Sequence, residues 1–471
     1  MQSDRRTFFT RAGLRVGAGI AGVAASAVVV VGALTLPLPS AHAQPAPQRV
    51  TPVPATVTAA CPGPLYSLSS DSTSSQISAV GTPTVVAGGQ AKAPGKGPLN
   101  APDVRTNGTP ARAFDSPAVD GKEPLLAAAQ SLSTDTADLH GFAAANCSQP
   151  DFDQWLVGGA TSLGATTLVV LSNPGDVAAT VDIDTYFEQG AAAAAGGRGV
   201  LVQPHTQHVV PLAGLAPNAT ATIVHVTSTG GTVSAELQQS LISGVTPQGV
   251  DWVGPTASPA KKAVVPGVEV LPGAATGASD SDDAGLPALR IMPVGDKDAK
   301  LSIGVTPEGG SGSGQAMSVT VSHGIVSEVP LDKVGAGTYT VTVDSDEPVV
   351  AAVRSTTSDA SAGTDFAWYA AARQLKGPAA IALPSGPGAR LHLVNPSSSA
   401  VTLKLAGPAG GSVSVPAGAA LSNAVGASGV LTTADAQGLY MAVGYSGAGA
   451  LAGYVVYPTG ASASALTVYK R

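Results

Sequence analysis

The chain has 471 residues, long enough for three or four domains. With 44% apolar residues it has too much to bury for a disordered chain, and a net charge of −7 with no basic run beyond the N-terminus would repel nucleic acid. Few charges (12%) and few aromatics (4%) suit small strands packed around aliphatic cores.

The N-terminus reads as an export signal. Arg5 and Arg6, followed by Thr7-Phe8-Phe9, give a twin-arginine-like start, and Arg11 and Arg15 add positive charge. Residues 16–36 are apolar, and Ala41-His42-Ala43 offers a cleavage site. The run also equals the roughly 20 residues that cross a bilayer as a helix, so residues 1–43 are expected to be either a cleaved signal peptide or a transmembrane anchor. The length of the run favours the anchor, and the arginines then supply positive-inside charge. Either way the rest of the chain leaves the cytoplasm.

Residues 44–150 are expected to be a Pro/Ser/Gly-rich spacer and disulfide-tied region. Residues 44–58 alternate Pro with Ala, Val and Thr, and residues 67–110 show little periodicity. A short strand is expected near Cys61-Pro62-Gly63-Pro64-Leu65-Tyr66, and a short helix at 124–132. The two cysteines, Cys61 and Cys147, read as a disulfide in an exported chain. The weaker alternative makes Cys61 a lipid acceptor, with Ala59-Ala60 before it, and leaves Cys147 alone.

A pattern then occurs three times. Leu168-Val169-Val170-Leu171-Ser172-Asn173-Pro174 answers to Leu289-Arg290-Ile291-Met292-Pro293 and to Leu391-His392-Leu393-Val394-Asn395-Pro396. Before each lies a short apolar run, at 155–159, 263–267 and 380–384. Behind each comes a period-2 strand: Val181, Ile183 and Thr185; Tyr339, Val341 and Val343; Val401, Leu403 and Leu405. Such alternation puts one face in a core and one in water. The fold class expected is all-β: three immunoglobulin-like β-sandwich modules at 151–260, 261–376 and 377–471. The Gly- and Ala-rich stretches 189–199, 308–315 and 407–411 read as variable surface loops.

Sites with chemistry are scarce. Gly444-Tyr445-Ser446 starts a hydrolase elbow but ends in Ala448, and Gly17-Ala18-Gly19-Ile20-Ala21-Gly22 lies inside the export segment. His205, His208 and His225 invite a zinc reading, against which exposed turn histidines are commonplace. Asp280, Asp282 and Asp283 lack the glycine turn and closing Glu of a calcium loop. Asp182 and Asp184 read as the wet face of a strand rather than a glycosidase pair. Trp155, Trp252 and Trp368 are the candidate ligand-contacting aromatics, suited to stacking on sugar; their recurrence in register with the repeat favours burial at module junctions. No catalytic, cofactor-binding or metal residue is assigned, and no cofactor is expected.

Cys61-Pro62-Gly63-Pro64, Cys147 ahead of Trp155-Leu156-Val157-Gly158-Gly159-Ala160-Thr161, Leu168 through Asp176, Pro348-Val349-Val350-Ala351 and Asp365-Phe366-Ala367-Trp368 together resemble an actinobacterial family of unknown function, domain family 5719. The resemblance covers most of the chain after about Thr58. It implies an envelope protein with an N-terminal anchor and a β-rich exterior, with a large envelope glycosyltransferase as a hinted partner. The resulting expectation is a membrane-tethered, non-enzymatic envelope protein acting through protein–protein contacts. The second reading is a set of modules binding cell-wall glycan; a hydrolase comes third.

Overall fold

The computed structural model describes residues 56–68, 76–89, 94–105, 108–118, 123–192, 194–271, 287–310, 314–408, 410–426 and 428–458, and the backbone of 47–50 and 466–469. The expected anchor or signal at 1–43 lies outside the described residues. No described helix is long and apolar enough to cross a membrane. The described chain is all-β, and its helical elements are single 3-10 turns such as Ala195–Gly197 and Leu212–Gly214. One small unit pairs Pro47–Val50 antiparallel with Leu466–Tyr469; the other spans residues 53–463.

In the segment 151–260, two antiparallel sheets enclose a core. One runs Asp153–Val157, Thr222–Gly230, Ala179–Phe187; the other runs Thr206–Pro211, Ala165–Asn173, Ser234–Ser243, Thr246–Val253. Along Ala179–Phe187 the residues expected inward, Val181, Ile183 and Thr185, are buried, because period-2 alternation matches the pleat. In 261–376 the 23-residue strand Gly337–Asp359 joins what would be two sheets, pairing early with Ala299–Pro307 and later with Ala288–Pro293. In 377–471 the largest sheet runs Ala420–Ala424, Arg390–Val394, Tyr440–Gly447, Ala450–Val455.

The turn after the signature strand is built alike in two segments. Asn173 Nδ2 donates to the Val177 and Val202 carbonyls, and its Oδ1 accepts from Gly175 N. Asn395 Nδ2 donates to Ser399, Val415 and Pro416, and its Oδ1 accepts from Ser397 N. A buried amide here satisfies carbonyls that the ladder leaves free.

Residues 56–150 correct two expectations. The helix expected at 124–132 is the strand Leu126–Asp135, hairpin-paired with His140–Asn146 and flanked by Thr84–Gly89. Leu-Ala-Ala-Ala-Gln favours a helix locally, but Ala128 and Ala129 are buried between neighbouring strands, and tertiary packing overrides the local preference. Much of the expected spacer is also folded: Val57–Ala60, Arg112–Ser116 and Gly95–Pro98 form a second sheet against this one.

Among the described residues four hairpins are built alike, one of them ahead of residue 151. Their second strands, His140–Asn146, Thr246–Val253, Gly363–Ala370 and Ala450–Val455, each pack against the next, and the last packs against the first. They form the centre of the larger unit. Ala143, Ala144, Ala367 and Ala452 are fully buried there, beside the larger Val250 and Leu451.

Candidate binding site

Two aspartates whose titration the fold perturbs, Asp365 and Asp251, are enclosed at this centre. Asp365, on the third inner strand, accepts N–H bonds from Phe142 (2.9 Å), Leu451 (3.1 Å) and Val250 (3.3 Å), one from each of the other three inner strands. Burial pushes its pKa up to about 8 against the pull of these donors. Asp251 accepts from Trp368 N at 2.7 Å, and burial holds its carboxyl well above the usual range, as it does for Glu236. These carboxyls tie strands together and face no open space.

Two further buried networks join successive segments. Arg290 is fully buried, stacks 4.4 Å over the Trp368 ring, donates to the carbonyls of Gly159 and Thr222, and pairs with Glu328 at 2.6 Å. Burial opposes the Glu328 charge, but Arg290 and Arg354 outweigh it and hold that carboxyl below its ordinary value. His392, at the position of Arg290 in the next signature, shares a 2.7 Å hydrogen bond with Glu308, whose other oxygen accepts Gly267 N at 2.9 Å. Gly159 and Gly267 hold matching places before their signatures. Both have φ near +80° (87° and 75°), and a Cβ on Gly267 would run into the His392 ring. The second and third signature strands thus each reach back to the glycine turn of the segment before.

The three tryptophans are enclosed as well, so none presents a face to sugar. Trp252 and Trp368 are each 1% exposed and Trp155 is 5% exposed. Trp155 stacks with Tyr186 and with His225, and Trp368 Nε1 donates to Gln239 at 2.7 Å. Each indole removes about 150–250 Å² from water, of the order of 4–6 kcal/mol of apolar burial, an upper bound set by the extended-chain reference. That is ample reason for tryptophan at a junction.

His205, His208 and His225 are not brought together. They face Asp176, Asp103 and Asp153 respectively, and among the described residues no three His, Cys, Asp or Glu side chains gather as metal ligands. Asp182 and Asp184 both pair with Arg198. Asp280, Asp282 and Asp283 lie outside the described residues. The turn 446–449, where the hydrolase elbow was sought, only links the fourth hairpin.

Cys61 and Cys147 form the expected disulfide, which closes a separation of 86 residues. Beside it lies a cleft of about 530 Å³ between the two sheets of the N-terminal module. Val85 and Ala87 come from one sheet, Arg112 and Phe114 from the other, and Gln130 closes the floor with both amide atoms bonded to Gly63. Arg112 and Phe114 are two apart on a strand and so share a face. A second, smaller cavity of about 270 Å³ is lined by Ile183, Asp184, Arg198 and Leu215, its charges already paired. The larger cleft lies where the sequence suggested a spacer; the signal that could have found it is the alternation Arg112-Ala113-Phe114-Asp115.

The fold and its bonding define an all-β, disulfide-linked protein built from repeated hairpin sheets. The chain belongs to the Family of unknown function (DUF5719), whose model matches residues 104–428. No curated protein matches it. Among solved structures it is similar to one titled "Biofilm associated protein - BSP domain", at 11% identity and a TM-score of 0.11, over 72% of this chain. The match spans 64% of that chain, less than two thirds of its length, and a score this low carries no argument about fold or function.

Proposed function

We propose that this protein is an exported, membrane-tethered, non-enzymatic component of the cell envelope, acting in envelope assembly through protein–protein contacts. Its three C-terminal segments, 151–260, 261–376 and 377–471, are read as immunoglobulin-like sandwich modules that stand off the membrane. The partner in this reading is an envelope membrane protein, of which a glycosyltransferase is one candidate.

One observation supports it above others. Leu163 and Val245 are fully solvated, at 104% and 91% exposure, on neighbouring turns of segment 151–260. The turns adjoin because Ile242 N donates to the Gly164 carbonyl at 2.7 Å. Solvated Leu and Val side chains gain about 1.5–3 kcal/mol each when a partner covers them. The glycan reading draws on a different residue, Phe152, an aromatic 53% exposed at the entrance to the same segment.

The test is crosslinking in living cells with a tagged full-length chain, compared with a Leu163→Asp, Val245→Asp double variant. Near-stoichiometric capture of one membrane protein by the wild type, lost in the variant, supports the reading. Capture of wall polysaccharide without such a protein moves the assignment to glycan binding. Equal capture by both chains removes this surface from the interface.

A further inference from the structure

The core of the N-terminal module is thin. In the segment 377–471 the interior is filled by Leu391, Leu393, Leu403, Leu405 and Leu431. In the N-terminal module the buried set between the sheets is Val57, Ala59, Phe114, Leu126, Ala128 and the two cysteines, with Val85 and Ala87 only half-buried at the edge. At that edge, where Val85 and Ala87 are incompletely covered, lies the cleft beside the disulfide. Val85, Ala87 and Phe114 give this cleft an apolar wall, among polar lining residues that include Thr82, Thr109 and Gln130, and an occupant would add dispersion contacts along that wall. The cleft's volume also falls within the roughly 300–1,000 Å³ of small-molecule sites.

One lining residue is cationic. Arg112 is half-buried and lines the cleft two residues from Phe114. Its guanidinium has no ion-pair or hydrogen-bond partner among the described residues. By contrast, Arg198 pairs with Asp182 and Asp184, and Arg290 with Glu328. Asp115, next along the strand, points to the other face and accepts the Thr58 hydroxyl. A planar fork of donors on a residue lining the cleft is complementary to a carboxylate or phosphate.

We propose that this cleft binds an anionic amphiphile, a short apolar chain bearing one carboxylate or phosphate. The chain lies between Val85, Ala87 and Phe114, and the head group sits on Arg112. This site is separate from the Leu163–Val245 surface and does not depend on it.

The experiment is equilibrium dialysis of the full-length chain in neutral-lipid nanodiscs, with empty nanodiscs subtracted, against labelled octanoate and octyl phosphate. Octanol, acetate and inorganic phosphate are the controls. The expected result is saturable binding of one equivalent of at least one amphiphile, weakened at least tenfold by Arg112→Gln and abolished by Val85→Phe, which fills the cleft. Unfolding curves of both variants should match the wild type, and Arg112→Lys should retain part of the affinity. Tighter octanoate binding points to a fatty acid as the source, and tighter octyl phosphate binding to a phosphorylated lipid. Four outcomes overturn the proposal: no saturable binding, equal binding by Arg112→Gln, octanol binding as tightly, or acetate or phosphate alone binding as tightly.

Discussion

The Asp365 carboxylate accepts the backbone N–H of Phe142 at 2.9 Å, joining residues 223 apart in sequence across the centre of the molecule. Val250 and Leu451 donate to the same carboxylate, so one side chain holds all four inner strands. Asp365→Ala leaves three buried N–H groups without an acceptor. At about 1–3 kcal/mol for each buried group left unsatisfied, and allowing for water entry, the expected loss is about 3 kcal/mol. Asp365→Asn should lose a comparable amount, because its NH₂ must face donors. Urea unfolding of the full-length chain measures both.

Asp365 also gives stability a dependence on pH. Its folded value of about 8 lies above the roughly 3.9 of an unfolded aspartate. Between those values the folded state binds the extra proton, so its contribution is fullest below about pH 4 and is lost as pH rises through about 8. Asp251 and Glu236, raised by burial, act with the same sign. Melting temperatures taken from pH 5 to 9 should decline across this window more steeply in the wild type than in Asp365→Asn. Parallel profiles would show that Asp365 does not titrate there.

Arg290→Met keeps the side chain's bulk but strips the Gly159 and Thr222 carbonyls of a donor and leaves Glu328 with only the field of Arg354. The expected loss is about 3 kcal/mol, near the low end for breaking a buried pair, because Glu328 keeps partial access to water. Adding Glu328→Gln should cost little more, since the interaction is already gone; a double-mutant cycle reads that coupling directly. Arg290→Lys should fall between, having charge without the fork or the stacking on Trp368.

Reducing the Cys61–Cys147 disulfide frees a loop whose ends are 86 residues apart. The chain-entropy model gives about 4–5 kcal/mol for such a closure. Because both cysteines lie in the core of the N-terminal module, hydrogen exchange should rise first in Leu126–Asp135 and His140–Asn146 when dithiothreitol is added. Uniform acceleration along the chain would show instead that the four hairpins open as one unit.

Legibility followed side-chain size. Where strands carry Val, Ile and Leu on one face, alternation gave away the buried positions, as at Val181 and Ile183 or Leu403 and Leu405. The Asn173 and Asn395 turns were visible as matching Asn-Pro pairs. The N-terminal module was missed because its central strands are built from alanine, which carries no period and favours helix when taken alone. Trp252 and Trp368 were rightly placed in register with the repeat, but their neighbours Asp251 and Asp365 gave no hint of their role. An aspartate beside an aromatic residue is commonplace until four strands converge on it.

By itself the sequence determined that the chain is β-rich, that its signature recurs, and that two cysteines pair, because strand period, motif order and cysteine count are local or nearly local properties. Only the tertiary structure decided that four described hairpins are built alike, that Asp365 and Arg290 are internal fastenings, and that a cleft with an unpaired arginine lies open beside the disulfide. Each of these depends on residues about 100 or more positions apart coming within hydrogen-bonding distance, or on how two sheets meet. Neither leaves a mark on the local pattern of side chains.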